Sequence, residues 1–222
     1  KWFKNEFTTT PPTAVTALND VREKNNKTVW FNSRYYRVNL LWKNQDFCFR
    51  DIHLFDEHFK SQYVDKAGES SQFFFYTLPM VDGYMWSTPE DRAGMQIVQH
   101  CPSGEKKIIR LNTPTITEPD IKTLKVTCKD LENHSFKLTF SESGFEIICD
   151  TNDKDFRWSI DLHASSSELP FKKIDGQNIM AEFQNFKYII RCLEGKPEMP
   201  NDCALRISPI QNRIKIDCTN NR

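Results

Sequence analysis

Leu124 to Leu162 carries the clearest alternation of apolar and polar positions in the chain. Leu124-Lys125-Val126-Thr127-Cys128-Lys129 and Phe136-Lys137-Leu138-Thr139-Phe140 alternate without a break, and Phe145-Glu146-Ile147-Ile148-Cys149-Asp150 does so with one slip at Ile148. Phe156-Arg157-Trp158-Ser159-Ile160-Asp161-Leu162 sets four apolar residues in perfect alternation. Side chains of a strand point to opposite faces with period two, so each run buries one face and wets the other. Short polar turns separate the four runs, which predicts a four-stranded antiparallel meander.

The same pattern recurs elsewhere. Tyr36, Val38, Leu40 and Trp42 alternate with Arg37, Asn39, Leu41 and Lys43, and Phe47-Cys48-Phe49 opens a further strand. Gln72–Leu78 holds the continuous run Phe73-Phe74-Phe75-Tyr76, typical of a strand buried on both faces. Met95–Cys101 and Lys106–Leu111 read as a hairpin around Pro102-Ser103-Gly104. Asn178–Phe183, Phe186–Cys192, Ala204–Ser208 and Arg213–Cys218 read as strands, and His163–Gly176 as a loop. Two stretches follow the helical period instead. Ala14, Ala17, Leu18 and Val21 follow Thr13 as N-cap and predict a helix over Ala14–Lys24, and Ile52, Phe55 and Phe59 predict another over Asp51–Gln62.

The fold class expected is therefore mostly β: antiparallel β-sandwich-like domains with one or two short helices near the N-terminus. Residues 112–120 are rich in Pro and Thr and have little to bury. They read as a linker between an N-terminal β-rich domain, 1–113, and a C-terminal antiparallel β domain, 120–222. Cys149, Trp158 and Cys192 invite comparison with immunoglobulin domains, but the Tyr expected two residues before the second Cys is replaced by Ile190. A lipocalin-like barrel is the rival architecture, although its G-x-W signature is missing around Trp30.

Composition narrows the function classes. Aromatics make up 13% of the 222 residues, with 17 Phe but only 7 Gly, which suits aromatic strands better than Gly-rich phosphate loops. Thirty basic residues balance thirty acidic ones, and the basic pairs Lys106-Lys107 and Lys172-Lys173 are isolated. Neither feature suits nucleic acid, so no nucleic-acid partner is expected. No apolar run is long enough to span a bilayer, so no membrane insertion by this chain is expected.

Seven cysteines, Cys48, Cys101, Cys128, Cys149, Cys192, Cys203 and Cys218, contain no C-x-x-C pair. They are read as disulfide candidates in an oxidising, extracellular setting, with at least one left over. Asn26-Lys27-Thr28 and Asn133-His134-Ser135 are candidate N-glycosylation sites at Asn26 and Asn133.

Candidate chemistry is sparse. His53 and His58 lie five apart, which puts them on different sides of a helix or strand, so no metal site is expected from that pair. His100-Cys101 neighbours would point apart on a strand, which argues against a thiolate–imidazole dyad. Neither a cofactor motif nor a nucleophile-elbow motif occurs, and no cofactor and no enzymatic activity are expected. Tyr84, Met85 and Trp86, between Gly83 and Pro89, combine interface-type side chains with loop chemistry. They are the expected binding residues of a secreted or cell-surface protein that recognises another protein. The alternative is an extracellular carrier of a small apolar ligand.

Overall fold

A computed structural model describes residues 6, 9–20, 24–60, 77–166 and 168–220. Eighteen strands follow one another in the described residues: β1 Thr13–Ala17, β2 Asn26–Asn32, β3 Tyr36–Lys43, β4 Asp46–Leu54, β5 Leu78–Asp82, β6 Gly94–His100, β7 Lys106–Ile108, β8 Thr115–Asp120 and β9 Thr123–Lys129. They continue with β10 Ser135–Phe140, β11 Gly144–Asp150, β12 Trp158–His163, β13 Phe171–Asp175, β14 Asn178–Phe183, β15 Phe186–Glu194, β16 Lys196–Glu198, β17 Leu205–Ser208 and β18 Arg213–Asp217.

Two antiparallel sheets result. The first runs β1-β2-β3-β4-β6-β12-β17-β16, with β5 also pairing β4 and β7 pairing β6; the second runs β13-β14-β15-β18-β11-β10-β9-β8. Their facing sides pack as a β-sandwich through aromatic side chains. Phe31 meets Phe140 at 5.9 Å between ring centroids, and Phe49 meets Phe145 at 5.8 Å. Two buried tyrosines tie the layers by hydrogen bonds. The Tyr36 hydroxyl lies 2.7 Å from the Gly144 carbonyl and 2.9 Å from that of Ser141, and the Tyr188 hydroxyl donates to the Pro79 carbonyl at 2.6 Å. The buried apolar residues of both sheets form one continuous cluster.

The period-two runs account for β3, β9, β10 and β11; the buried residues alternate as expected in β9, β10 and β11, while β3 departs from the alternation at the buried Asn39. The fourth run of the meander leaves it: β12 joins the first sheet between β6 and β17, and β18 takes the place beside β11. β12 is buried at every position but its last, the mark of a central strand rather than the outer strand of a meander. Residues 112–120 include β8, the edge strand beside β9, and β12, β16 and β17 from the C-terminal half complete the first sheet. The expected loop over His163–Gly176 contains β13.

The two expected helices are corrected. Ala14–Ala17 lies in β1, because β-branched Thr13, Val15 and Thr16 favour extended backbone and β2 offers a partner. Residues 21–23 of that stretch lie outside the described residues. Asp51–Leu54 extends β4, since the β3–β4 hairpin, turned at Asn44 with φ +61°, carries its ladder through to Tyr36↔Leu54. Of the expected strand over Gln72–Leu78, residues 72–76 lie outside the described residues and Leu78 opens β5.

The expected disulfides are also corrected: all seven cysteines are free thiols. Strand register explains two of the candidate pairs. Cys128 and Cys149 both sit opposite Phe136, on strands either side of β10. Two strand spacings, roughly 9.6 Å, exceed the reach of a disulfide. Cys192 pairs with Ile216, so Cys218 is its diagonal neighbour, at about 7–8 Å. Burial pushes the thiol of Cys128 up to about 12 and that of Cys48 up to about 11, which makes both poor nucleophiles.

Candidate functional site

β4 and β5 build the site. Val38 and Tyr36 of β3 face Ile52 and Leu54 of β4, and Tyr36 reaches into the second sheet, so Ile52 and Leu54 point inward. Asp51 and His53 alternate with them and point to the outer face. The register of β4 and β5 then sets Asp82, the last residue of β5, opposite Asp51. One oxygen each from Asp51 and Asp82 and a ring nitrogen of His53 lie within 4.8 Å of one another.

The three are not equivalent. The Asp51 carboxylate accepts the Arg50 Nε–H at 3.0 Å and the Gly83 amide at 3.3 Å. His53 is 3% exposed and its Nδ1 shares a 2.6 Å hydrogen bond with the Thr77 hydroxyl. Its Nε2 lies 3.6 Å from Asp82 Oδ2, beyond hydrogen-bond range, and has no hydrogen-bond partner among the described residues. Burial, reinforced by the Arg37 guanidinium, lowers the pKa of His53 from 6.5 to about 4, so the ring is neutral near pH 7.

Asp82 also starts the loop. Its Oδ1 accepts the amides of Tyr84 at 3.1 Å and Met85 at 2.8 Å, which closes a tight turn. Gly83 is needed there, since a Cβ would stand 2.5 Å from the Arg50 carbonyl oxygen. The Ser87 hydroxyl donates to the Gly83 carbonyl at 2.6 Å and accepts the Ala93 amide at 2.8 Å, drawing the loop's ends together. At its rim, Asp91 receives hydrogen bonds from Ser165 and from His163 at 2.7 Å, and these hold its carboxyl below the usual range.

The three expected binding residues divide. Tyr84 is 82% exposed and Met85 53%, whereas Trp86 is 5% exposed and packs edge-on against Phe171 at 6.4 Å. Trp86 anchors the loop; Tyr84 and Met85 are what it displays. Of the glycosylation candidates, Asn133 is exposed in a turn, while Asn26 is half-buried in β2 and donates to Asp20 at 3.0 Å.

A second polar cluster joins His100, Ser159, Asp161 and Arg206. His100 Nε2 lies 2.7 Å from Ser159 Oγ, which donates to Asp161 Oδ1 at 2.5 Å. The Ser159 proton thus goes to the carboxylate, and His100 donates to the hydroxyl instead of accepting from it. A serine nucleophile requires the reverse arrangement and an accessible Oγ, yet Ser159 is fully buried. Arg206 closes the cluster with a bidentate pair on Asp161, Nε at 2.9 Å and Nη2 at 2.5 Å.

On the helix expected over Asp51–Gln62 these two residues would lie about 200° apart, and the strand brings them to one face. Asp51-Ile52-His53 carried that signal as a period-two pair of ligand-type residues. No protein-family model, curated protein or solved structure matches this chain. Among the described residues, no helix is long and apolar enough to cross a membrane.

Proposed function

We propose that the protein is a non-catalytic recognition module that binds another protein through the loop following β5, with Tyr84 and Met85 as its contact residues. The carrying observation is the display of two adjacent large apolar side chains, 82% and 53% exposed, on a turn whose backbone is fixed by Asp82 and Ser87. Val15, Ile121, Leu193, Met199 and Ile210 are also exposed but stand singly along the chain, and Ile108 and Leu131, which line one surface cavity together, are not neighbours in sequence as Tyr84 and Met85 are. A fixed backbone lowers the ordering cost that association must meet, and Tyr and Met are enriched in interface cores.

Recognition is favoured over carriage of an apolar ligand because the space between the sheets is filled by Trp42, Phe47, Phe49, Phe136, Phe140 and Tyr188. The Ser159 arrangement favours a non-catalytic role. The proposed setting is extracellular; its support is the exposed Asn133 of a glycosylation motif, no longer the cysteines.

A photoreactive phenylalanine analogue at position 84 tests the proposal, with the same group at exposed Ile121 as control. Crosslinking in material from the native source should join one discrete protein to position 84 and not to position 121. Equal labelling from the two positions would remove the basis for this interface.

A further inference from the structure

We propose that Asp51, His53 and Asp82 form a binding site for a single divalent first-row metal ion of the zinc class, on the outer face of β4 and β5. Three ligand atoms of the right kinds already converge within 4.8 Å. Two ligands held about 2.1 Å from a tetrahedral ion stand roughly 3.4 Å apart, close to the 3.6 Å between His53 Nε2 and Asp82 Oδ2. The remaining separations are no more than 4.8 Å, so closing to that spacing takes side-chain shifts of at most about 1.4 Å.

The second observation is the unpartnered ring nitrogen. His53 Nε2 faces a carboxylate oxygen across 3.6 Å and has no hydrogen-bond partner among the described residues; in the tautomer whose Nδ1–H donates to the Thr77 hydroxyl, Nε2 presents a lone pair there. A buried acceptor left in this way is costly, and a cation between the two acceptors removes the cost. The Thr77 contact is also what a ligating imidazole requires of its other nitrogen: a partner that fixes ring orientation and tautomer.

The neighbouring charges limit the choice of ion. Arg50 and the Gly83 amide engage Asp51, but each carboxylate oxygen offers a second lone pair. Arg37 lies opposite His53 and adds positive charge nearby. One imidazole and two carboxylates suit zinc, manganese or iron(II), whereas calcium and magnesium prefer oxygen alone and copper(I) prefers sulfur. Three protein ligands leave a position for water. The site stands whether or not the adjacent loop binds a partner.

Cobalt(II) distinguishes this site from the seven thiols. Chelator-treated protein titrated with cobalt should bind one equivalent per chain, with visible d–d absorption and no near-ultraviolet thiolate charge-transfer band. Asp82→Asn keeps an oxygen to cap the turn and should weaken cobalt binding by at least about tenfold. His53→Gln should do the same, and Cys48→Ser should leave binding unchanged, with far-ultraviolet circular dichroism reporting the fold of each variant. Absence of cobalt binding, a thiolate band, or equal affinity in folded Asp82→Asn would each overturn the assignment.

Discussion

His53 and Trp86 show how burial sets what a single side chain does. In chelated protein, the folded chain holds His53 neutral down to about pH 4, whereas the unfolded chain takes up a proton near 6.5. Stability from this residue is therefore complete above pH 6.5 and is lost as the pH falls, by roughly 3 kcal/mol near pH 4. Burial also lowers the pKa of His100, so the two act in the same direction. Urea midpoints measured at pH 7.5 and pH 4.5 should differ clearly in the wild type and less in His53→Gln; an unchanged difference would place the titration elsewhere. Trp86, taken from sequence as a contact residue, is a core residue by its 5% exposure. Trp86→Ala should cost about 3–5 kcal/mol and Tyr84→Ala no more than about 0.5, as read by thermal or urea unfolding.

Strands tie these residues together, and one buried ion pair does so most strongly. Arg206 on β17 grips Asp161 on β12, with both side chains about 10% exposed. Arg206→Ala leaves Asp161 charged, buried and unpaired, and should destabilise by about 3–5 kcal/mol. Exchanging both for apolar residues of similar volume should cost far less, and a double-variant unfolding series measures the difference. The elements legible in sequence were those whose period-two pattern faces a single core. β9, β10 and β11 are half-buried, so their polar residues mark the wet side. β4 was obscured because its outer face is buried too, by Cys48, Asp51 and His53, and the β-bulge around Arg50 breaks the alternation. Ile52, Phe55 and Phe59 then mimicked a helix. The candidate metal site was hidden for the same reason, since its ligands share a face only on a strand. Asp82 comes from another strand altogether, and local spacing carries no trace of that register.

Across the whole molecule, the sandwich makes a rigid stage for one loop. Strands from both ends of the chain share the first sheet, and Tyr36 and Tyr188 bond the two sheets across a continuous core. Unfolding followed by Trp fluorescence and by far-ultraviolet circular dichroism should therefore give coincident, single transitions; separate transitions would indicate independently stable halves. From that stage, Asp82 fixes Tyr84 and Met85 outward while Trp86 holds the loop down. The most direct measurement compares wild type with Tyr84→Ala/Met85→Ala for retention of the crosslinked partner and for melting temperature. The expected result is loss of retention with the melting temperature essentially unchanged. Undiminished retention by the double variant would contradict recognition through this loop.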